Sequence, residues 1–516
     1  MNGAKHPRWL DTAVFYQIYP QSFKDSNADG IGDFQGIISK LDYIAELGCN
    51  ALWLNPCFES PFGDAGYDVA DYYKAAPRYG TNEDLKQLID QVHRRGMHIL
   101  LDLVPGHTSI THKWFQQSQR AEQNEYTDRY VWTDDVWHAP EGYSSLRGIS
   151  ERNGSCVVNF YSNQPALNYG FYRPDPGQPW QQPTDAPGPQ GTIRAMIDVM
   201  RFWLQMGCDG FRVDMAGSLV KGDEDGKGTI RVWRQVREFL DAEFPDAAMV
   251  SEWGEPDLSL QGGFHMDFLL HFGSSHYNDL FRCEKPFFAG EGDVSAFIRK
   301  YMASYEKAGR DGLICIPSGN HDMDRLARTI HGDKLKVAFA FLLTMPGVPF
   351  IYYGDEIGMR YVEGLKSVEG GYGRTGSRSP MQWDDSLNAG FGCSPRDMLY
   401  IPQDEAPGRP TAAAQMGDES SLWNEVKRLI ALRQAHSALQ SWGEIEIVRA
   451  EQNTYPLAYM RYDGSERLLI ALNPSDGQVE LPTACAPQEV LYSFGKASVR
   501  DGAAVVLGPN SFGIYR

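Results

Sequence analysis

Residues 98–107 read HILLDLVPGH, an apolar run that closes on Asp102, a Pro-Gly pair and His107. Seven further short runs rich in β-branched and aromatic residues share its character. They are AVFYQIYP from Ala13, ALWLNP from Ala51, GFRVDM from Gly210, AMVSEW from Ala248, HMDFLLHF from His265, LICIPSGNHD from Leu313 and VPFIYYGDE from Val348. Amphipathic stretches of helical length lie between them. FQGIISKLDYIAELG puts Ile37, Ile38, Leu41, Ile44, Ala45 and Leu47 on one broad face, which predicts a helix closed by Gly48. Similar patterns begin near Asn82, Thr192, Ile230, Val294, Lys334 and Leu422. Between Trp253 and His265 no helix is expected, because Pro256 and the Gly262-Gly263 pair leave little room for one. Eight strands alternating with helices predict an α/β protein of the (β/α)8 TIM-barrel type.

Two departures from that alternation point to added parts. After His107 the chain runs about sixty residues rich in polar, aromatic, Gly and Asn positions, the length of a functional insertion. From Gly358 to about Pro410 a second stretch is irregular, and from Ser441 onward only short alternating strands follow. The expected organisation is a barrel of residues 1–107 and 171–440, a lid-like domain of 108–170, and a C-terminal antiparallel β-sandwich domain of 441–516.

The 516 residues carry 48 Lys plus Arg against 67 Asp plus Glu, a formal net charge of −19. That charge repels a phosphate backbone, so nucleic acid is not an expected partner. No apolar run reaches the ~18 residues of a spanning helix, so no membrane association is expected either. The N-terminal MNGAKHPRWLDTAVFYQ lacks a secretory h-region, which predicts a cytoplasmic location. Cys49, Cys57, Cys156, Cys208, Cys283, Cys315, Cys393 and Cys485 are scattered without zinc or redox spacing and read as buried thiols.

In such a barrel the active site lies at the C-terminal ends of the strands. Three carboxylates stand there: Asp214 ends GFRVD, Glu252 ends AAMVSE and Asp322 ends LICIPSGNHD, in the company of Arg212, His107 and His321. Glycosidic cleavage needs one ionised carboxylate to attack and one protonated carboxyl to release the leaving oxygen. Which acid does which does not follow from their positions.

Four motifs in order, DLVPGH (102–107), GFRVD (210–214), SEW (251–253) and NHD (320–322), with QPALN from Gln164, GVPFIYYGDEIGM from Gly347 and RSPMQW from Arg378, closely resemble the α-amylase superfamily of glycoside hydrolases. The resemblance is strongest to its oligosaccharide α-glucosidase, oligo-1,6-glucosidase and trehalose synthase branch, and it covers nearly the whole chain. It implies Asp214 as nucleophile, Glu252 as general acid and base, and Asp322 as transition-state stabiliser, with retention of the α configuration. It further implies His107, His321, Arg212 and Arg325 as sugar-site residues. Tyr67 and Asp68 match the family's GYD segment, with Tyr67 as stacking platform, and Phe160 is placed to supply a second apolar wall. Asp64 with Arg378 would grip the non-reducing terminal glucose and close the pocket.

DSNADGIGD (25–33) places oxygen ligands at alternate positions around Gly30, as a hard cation requires. By the same resemblance one structural Ca2+ or Mg2+ would be held by Asp25, Asn27, Asp29, the Ile31 carbonyl and Asp33. Gly371, Gly373 and Gly376 form a lone G-x-G-x-x-G with no preceding strand, so no nucleotide site is expected. Three positions depart from the family pattern: Gly106 for Asn, Ala166 for the acid of QPDLN, and Met215 after the nucleophile. The expectation is a retaining α-glucosidase acting on short α-glucosides. Its alternatives are a transglucosylase or isomerase such as trehalose synthase or sucrose isomerase and, remotely, a non-catalytic partner protein.

Overall fold

The structure, a computed structural model, describes residues 6–483, 487, 489–500 and 504–516. Eight parallel strands form the barrel: β1 (Phe15–Ile18), β2 (Ala51–Leu54), β3 (His98–Leu103), β4 (Gly210–Val213), β5 (Ala248–Ser251), β6 (Met266–Phe268), β7 (Leu313–Cys315) and β8 (Phe350–Tyr352). They are hydrogen-bonded in the order β7-β6-β5-β4-β3-β2-β1-β8. A parallel bridge between Pro317, just past β7, and Phe350 brings the two edges together. Every expected run carries one of these strands. Inside, Phe15 stacks on Phe350 at 4.3 Å, and Trp53, Phe268 and Phe350 pack edge to face or tilted, all buried. This aromatic plug supports whatever stands on the strands' C-terminal ends.

The helices follow their apolar stripes, with three corrections. The first predicted helix is two, α1 (Phe34–Ser39) and α2 (Leu41–Leu47), because Lys40 between them leaves helical geometry at φ −114°, ψ 4°. Gly48 closes α2 in the left-handed region at φ 102°. Beyond α3 (Asn82–Arg94), with its Thr81–Asp84 capping box, and a six-residue helix at Lys113–Ser118, the next barrel helix is α4 (Pro187–Met206). It starts five residues before the expected Thr192, since Pro187 at the first helical position initiates rather than blocks a helix. The same physics explains α6 (Pro256–Gln261), which follows α5 (Lys227–Glu243) where no helix was expected: Pro256 opens it and Gly262 ends it. The remaining helices used below are α7 (Ser295–Ala308), α8 (Asp333–Thr344) and α9 (Leu422–Ala435).

Between β3 and α4 the excursion carries two short strands, Ser145–Leu146 and Cys156–Val157. Val131, Val157, Ala166 and Phe171 form its own small core. Past the barrel, strands Glu444–Arg449, Leu457–Tyr462, Arg467–Asn473, Ser511–Tyr515 and Val490–Phe494 make one antiparallel sheet in that order, and Val479–Pro482, Ala504–Leu507 and Ala497–Arg500 make another. Two fully buried arginines converge on the end of α8, one from the barrel and one from this region. Arg433 on α9 donates to the carbonyls of Leu343, Met345 and Gly347. Arg461, from Leu457–Tyr462, donates to those of Thr344, Gln440 and Gly443. The C-terminal carbonyls of α8 thus take the place of a carboxylate. Burial pushes Arg433 down to about 9 and Arg461 to about 10.

Among the described residues no helix is long and apolar enough to cross a membrane. Cys49, Cys57, Cys156, Cys208 and Cys315 are buried free thiols, whereas Cys283 is half-buried and Cys393 exposed on an irregular loop, against expectation. Cys485 lies outside the described residues.

Candidate active site

At the C-terminal ends of the strands a cavity of about 640 Å³ opens. Its floor is organised by Arg212. This buried guanidinium points up from β4 and meets Asp102 at 2.9 Å, Asp214 at 3.0 Å and Glu252 at 2.9 Å. Asp102, the penultimate residue of β3 and 1% exposed, also accepts the Trp53 indole N–H at 3.1 Å and the Tyr67 hydroxyl at 3.0 Å. Burial pushes it up to about 6 against the pull of Arg212. Burial and the neighbouring Glu252 carboxylate raise Asp214 well above the ordinary carboxylate range, while Arg212 opposes them. Asp214 therefore holds a proton more tightly than a solvated acid does. Met215, at φ 43°, is a non-glycine residue in the left-handed region, and its N–H donates to Glu252 Oε2 at 3.2 Å. Such strain concentrates at functional sites.

Asp322 has the opposite surroundings. Its Oδ1 accepts Arg374 at 2.5 Å and Arg378 at 3.0 Å, and its Oδ2 lies 3.2 Å from His321 Nε2. Burial works against its charge, yet His321, Arg378 and Arg374 together hold it below the ordinary range. The cavity thus holds one firmly ionised acid, Asp322, beside Asp214, whose carboxyl keeps its proton more readily.

The remaining expected residues divide. Asp64, Tyr67, His107 and Phe160 line the cavity with the three acids. Burial pushes Asp64 up to about 6, and its Oδ2 accepts the Gln164 amide at 2.8 Å. Phe160 stands at the mouth, 55% exposed. His107 has both ring nitrogens engaged: Nε2 lies 3.1 Å from the Tyr67 carbonyl and Nδ1 3.1 Å from the Asn159 amide. Burial lowers it to about 4, so it is neutral. It offers the cavity a ring edge, and a sugar hydroxyl must displace one of these bonds to reach a nitrogen.

Four residues stand behind the wall. His321 stacks on Tyr67 at 5.3 Å and takes Asn55 and Gln17 amides at Nδ1, which leaves Nε2 for Asp322. Asp68 turns into its own loop and accepts the Gly63 and Asp64 N–H groups. Arg325 is drawn away by Asp355 at 3.1 Å and the Tyr353 carbonyl. Arg378 is buried, held by the His321 carbonyl and the Tyr19 hydroxyl, and backs Asp322. The arginine facing Asp64 is Arg374, at 4.0 Å, fixed by the Gly370 carbonyl at 2.7 Å. Residues 372–378 form one 3-10 helix. Two arginines four apart on such a segment were the available signal, since both can reach the same acid. Trp253, Glu255, His271 and Phe272 also line the cavity unforeseen. The apolar run HMDFLLHF carries the predicted strand through the last two, but β6 ends at Phe268 and both lie beyond it.

Two departures now have physical accounts. A Cβ on Gly106 would stand 2.7 Å from the Asn159 amide that reaches His107. Ala166 is fully buried in the apolar core of the excursion, where an acid would be desolvated. In the 25–33 loop the donors are all oxygen, which suits a hard cation. Asp25 accepts the Ala28 and Gly30 N–H groups, Asn27 that of Asp29, and Asp29 that of Ile31. Asp33 caps α1 through the Gly36 N–H. Among the described residues no three His, Cys, Asp or Glu side chains are gathered at metal-binding spacing. No residue of the loop lines the cavity.

Two carboxyls on one buried arginine and an ionised third acid at the C-terminal mouth of a (β/α)8 barrel define an enzyme equipped for nucleophilic and acid–base chemistry. The alpha-amylase catalytic-domain family matches residues 17–442. Trehalose synthase/amylase TreS of Mycolicibacterium smegmatis is 33% identical over 507 residues, covering 88% of this chain and 80% of its own. The oligo-1,6-glucosidase of Parageobacillus thermoglucosidasius is 31% identical over 559 residues, covering 94% and 93%. The trehalulose synthase MutB from Pseudomonas mesoacidophila MX-45 superposes with a TM-score of 0.79 at 26% identity, over 98% of this chain and 99% of that one. The chain belongs to the α-amylase family of glycoside hydrolases, as an enzyme that processes glucosides.

Proposed function

We propose that this enzyme is a retaining α-glucosidase that removes terminal non-reducing α-linked glucose from short oligosaccharides by double displacement. In the first step Asp214 attacks the anomeric carbon while Glu252 passes its proton to the leaving oxygen, giving a β-glucosyl-enzyme. In the second, Glu252 takes a proton from water as the water displaces Asp214, so the product keeps the α configuration. Asp322, held ionised, stabilises the positive charge that develops on the ring. The observation that carries this reading is geometric: Asp214 and Glu252 share the Arg212 guanidinium at 3.0 and 2.9 Å and line one cavity with Asp322, which Arg374 and Arg378 hold ionised. Asp64 and Arg374 supply polar ends for the terminal glucose, and Tyr67 a face for its ring. We place the reaction in the cytoplasm, where free thiols such as Cys49 and Cys57 persist. One Ca2+ or Mg2+ in the 25–33 loop, held by Asp25, Asn27, Asp29, Ile31 and Asp33, belongs to the same proposal and takes no part in the chemistry.

A second reading has specific support, since TreS and the trehalulose synthase carry names of enzymes that make disaccharides. In it the same glucosyl-enzyme passes glucose to a sugar instead of water. Proton NMR with maltose, isomaltose, trehalose and sucrose separates the two. α-Glucose as the first free product is expected for the glucosidase, and a new disaccharide with little free glucose would establish transfer. β-Glucose first would overturn double displacement. Asp214→Asn is expected to lose roughly 10⁴-fold or more in kcat/KM, and near-normal turnover would remove Asp214 from its role.

A further inference from the structure

The turn that presents Glu252 is gripped from outside the cavity. Asp267 lies on β6, paired in register with Ser251 on β5. It is fully buried and does not line the cavity. Its Oδ1 accepts the Ser251 hydroxyl at 2.6 Å and the Trp253 N–H at 3.1 Å, with the Gly254 N–H at 3.5 Å. Ser251 and Trp253 stand immediately before and after Glu252 in the chain. The Ser251 hydroxyl also lies 2.5 Å from that of Ser259 on α6, which ties the short helix to the same point. On the opposite side the Trp253 indole packs on Gly217, where a Cβ would stand 2.6 Å from Nε1. The 251–254 turn is therefore pinned between β6 and the loop that follows Asp214.

Asp267 makes no ion pair among the described residues, and its Oδ2 is buried without a partner. Burial pushes the carboxyl up to about 7. A lone buried acid is costly, and an apolar side chain at such a place is commonly as stable or more so. What Asp267 supplies is an acceptor that reaches both neighbours of Glu252 at once. We propose that Asp267 is a positioning residue for Glu252: by holding the Ser251 hydroxyl and the Trp253 N–H, it aims the Glu252 carboxyl at the oxygen of the departing group. The inference rests on the reading of Glu252 as the proton donor.

The test compares kcat/KM on two substrates that differ in their need for that proton. One is the disaccharide of the panel above that is cleaved fastest, and the other is α-glucosyl fluoride, whose fluoride leaves with little assistance. Asp267→Ala is expected to lose roughly 100-fold on the disaccharide and about threefold or less on the fluoride, as a misplaced acid would. Asp267→Asn keeps an acceptor oxygen at the same position and is expected to stay within about threefold of the parent on both. Ser251→Ala removes one of the two bonds and should show the same selective loss in smaller measure, which carries the test if Asp267→Ala does not fold. Equal losses on both substrates, or no loss on the disaccharide, would overturn the proposal. Glu252→Gln run in parallel separates the two failures. An unselective loss there sinks the reading of Glu252 itself, whereas a selective loss there without one in Asp267→Ala sinks only the positioning role.

Discussion

Protons in this molecule are distributed by which buried acid has which cation. Arg212 is shared by Asp102, Asp214 and Glu252, while Asp322 meets two arginines, Arg374 and Arg378, and the Nε2 of His321. That inequality keeps Asp322 charged while burial and Glu252 raise Asp214. Glu356 obeys the same rule away from the cavity. It is fully buried, its Oε1 accepts the Tyr16 and Tyr43 hydroxyls, and burial pushes it up to about 7. The unfolded chain releases this proton near pH 4.5. Between there and pH 7 the native state holds a proton that the unfolded state lacks, so stability falls as pH rises through that window. Glu356→Gln removes the titration and should gain about 2 to 3 kcal/mol on the parent between pH 5 and pH 8. Paired thermal melts check this: a difference between the two proteins that does not change with pH would mean that Glu356 is ionised throughout. Residue by residue, the three strand-end acids were legible because a carboxylate that closes an apolar strand has few structural uses. Arg374 was not, because nothing in one sequence tells which of two arginines turns inward.

Among the elements, α8 shows how a helix end is buried without an acid. Its last carbonyls meet Arg433 and Arg461, one from α9 and one from the C-terminal sheet. Arg461→Leu leaves several buried carbonyls without donors and should cost about 3 kcal/mol. For a chain of this size that is a fall of about 3 °C in melting temperature. Activity at 25 °C should be kept, because neither Arg461 nor any of the carbonyls it meets lines the cavity. An unchanged melting temperature would mean that water satisfies these carbonyls as well as Arg461 does. The helices that periodicity misjudged share one cause. Pro187 and Pro256 read as breakers in a linear scan, but each stands at a first helical position, where its missing N–H has no partner to lose.

Across the whole molecule, the cavity draws its walls from β-strand ends, from the excursion after β3 through Phe160, and from the irregular 358–378 stretch through Arg374. Its ligand is bounded by shape and hydrogen bonding, while the charge of −19 bears on solubility and counter-ions. The cation proposed for the 25–33 loop acts at this scale by mass action. Added Ca2+ at about 100 times its dissociation constant should stabilise the fold by about 2.7 kcal/mol and leave kcat unchanged. Melting curves with and without chelator read the first, and initial rates the second. If neither ion moves the melting temperature, the loop is closed by its own Asx turns alone.

The barrel was determined by the sequence itself, since eight apolar runs spaced by amphipathic helices have one economical way to bury their faces. So were Asp214 and Glu252, which directly follow β4 and β5, whereas Asp322 stands seven residues past the end of β7, in a loop the apolar run did not separate from the strand. Only the tertiary structure decided their company. Asp322 and Arg374 lie fifty-two positions apart, and Asp102 and Arg212 one hundred and ten, yet each pair is in contact. The same holds for Asp267, whose partners Ser251 and Trp253 belong to the neighbouring strand and its turn. Strand pattern is carried by local periodicity, which a sequence displays directly. The protonation and aim of a side chain are set by burial and by charges that arrive from distant segments, and these exist only once the barrel has closed.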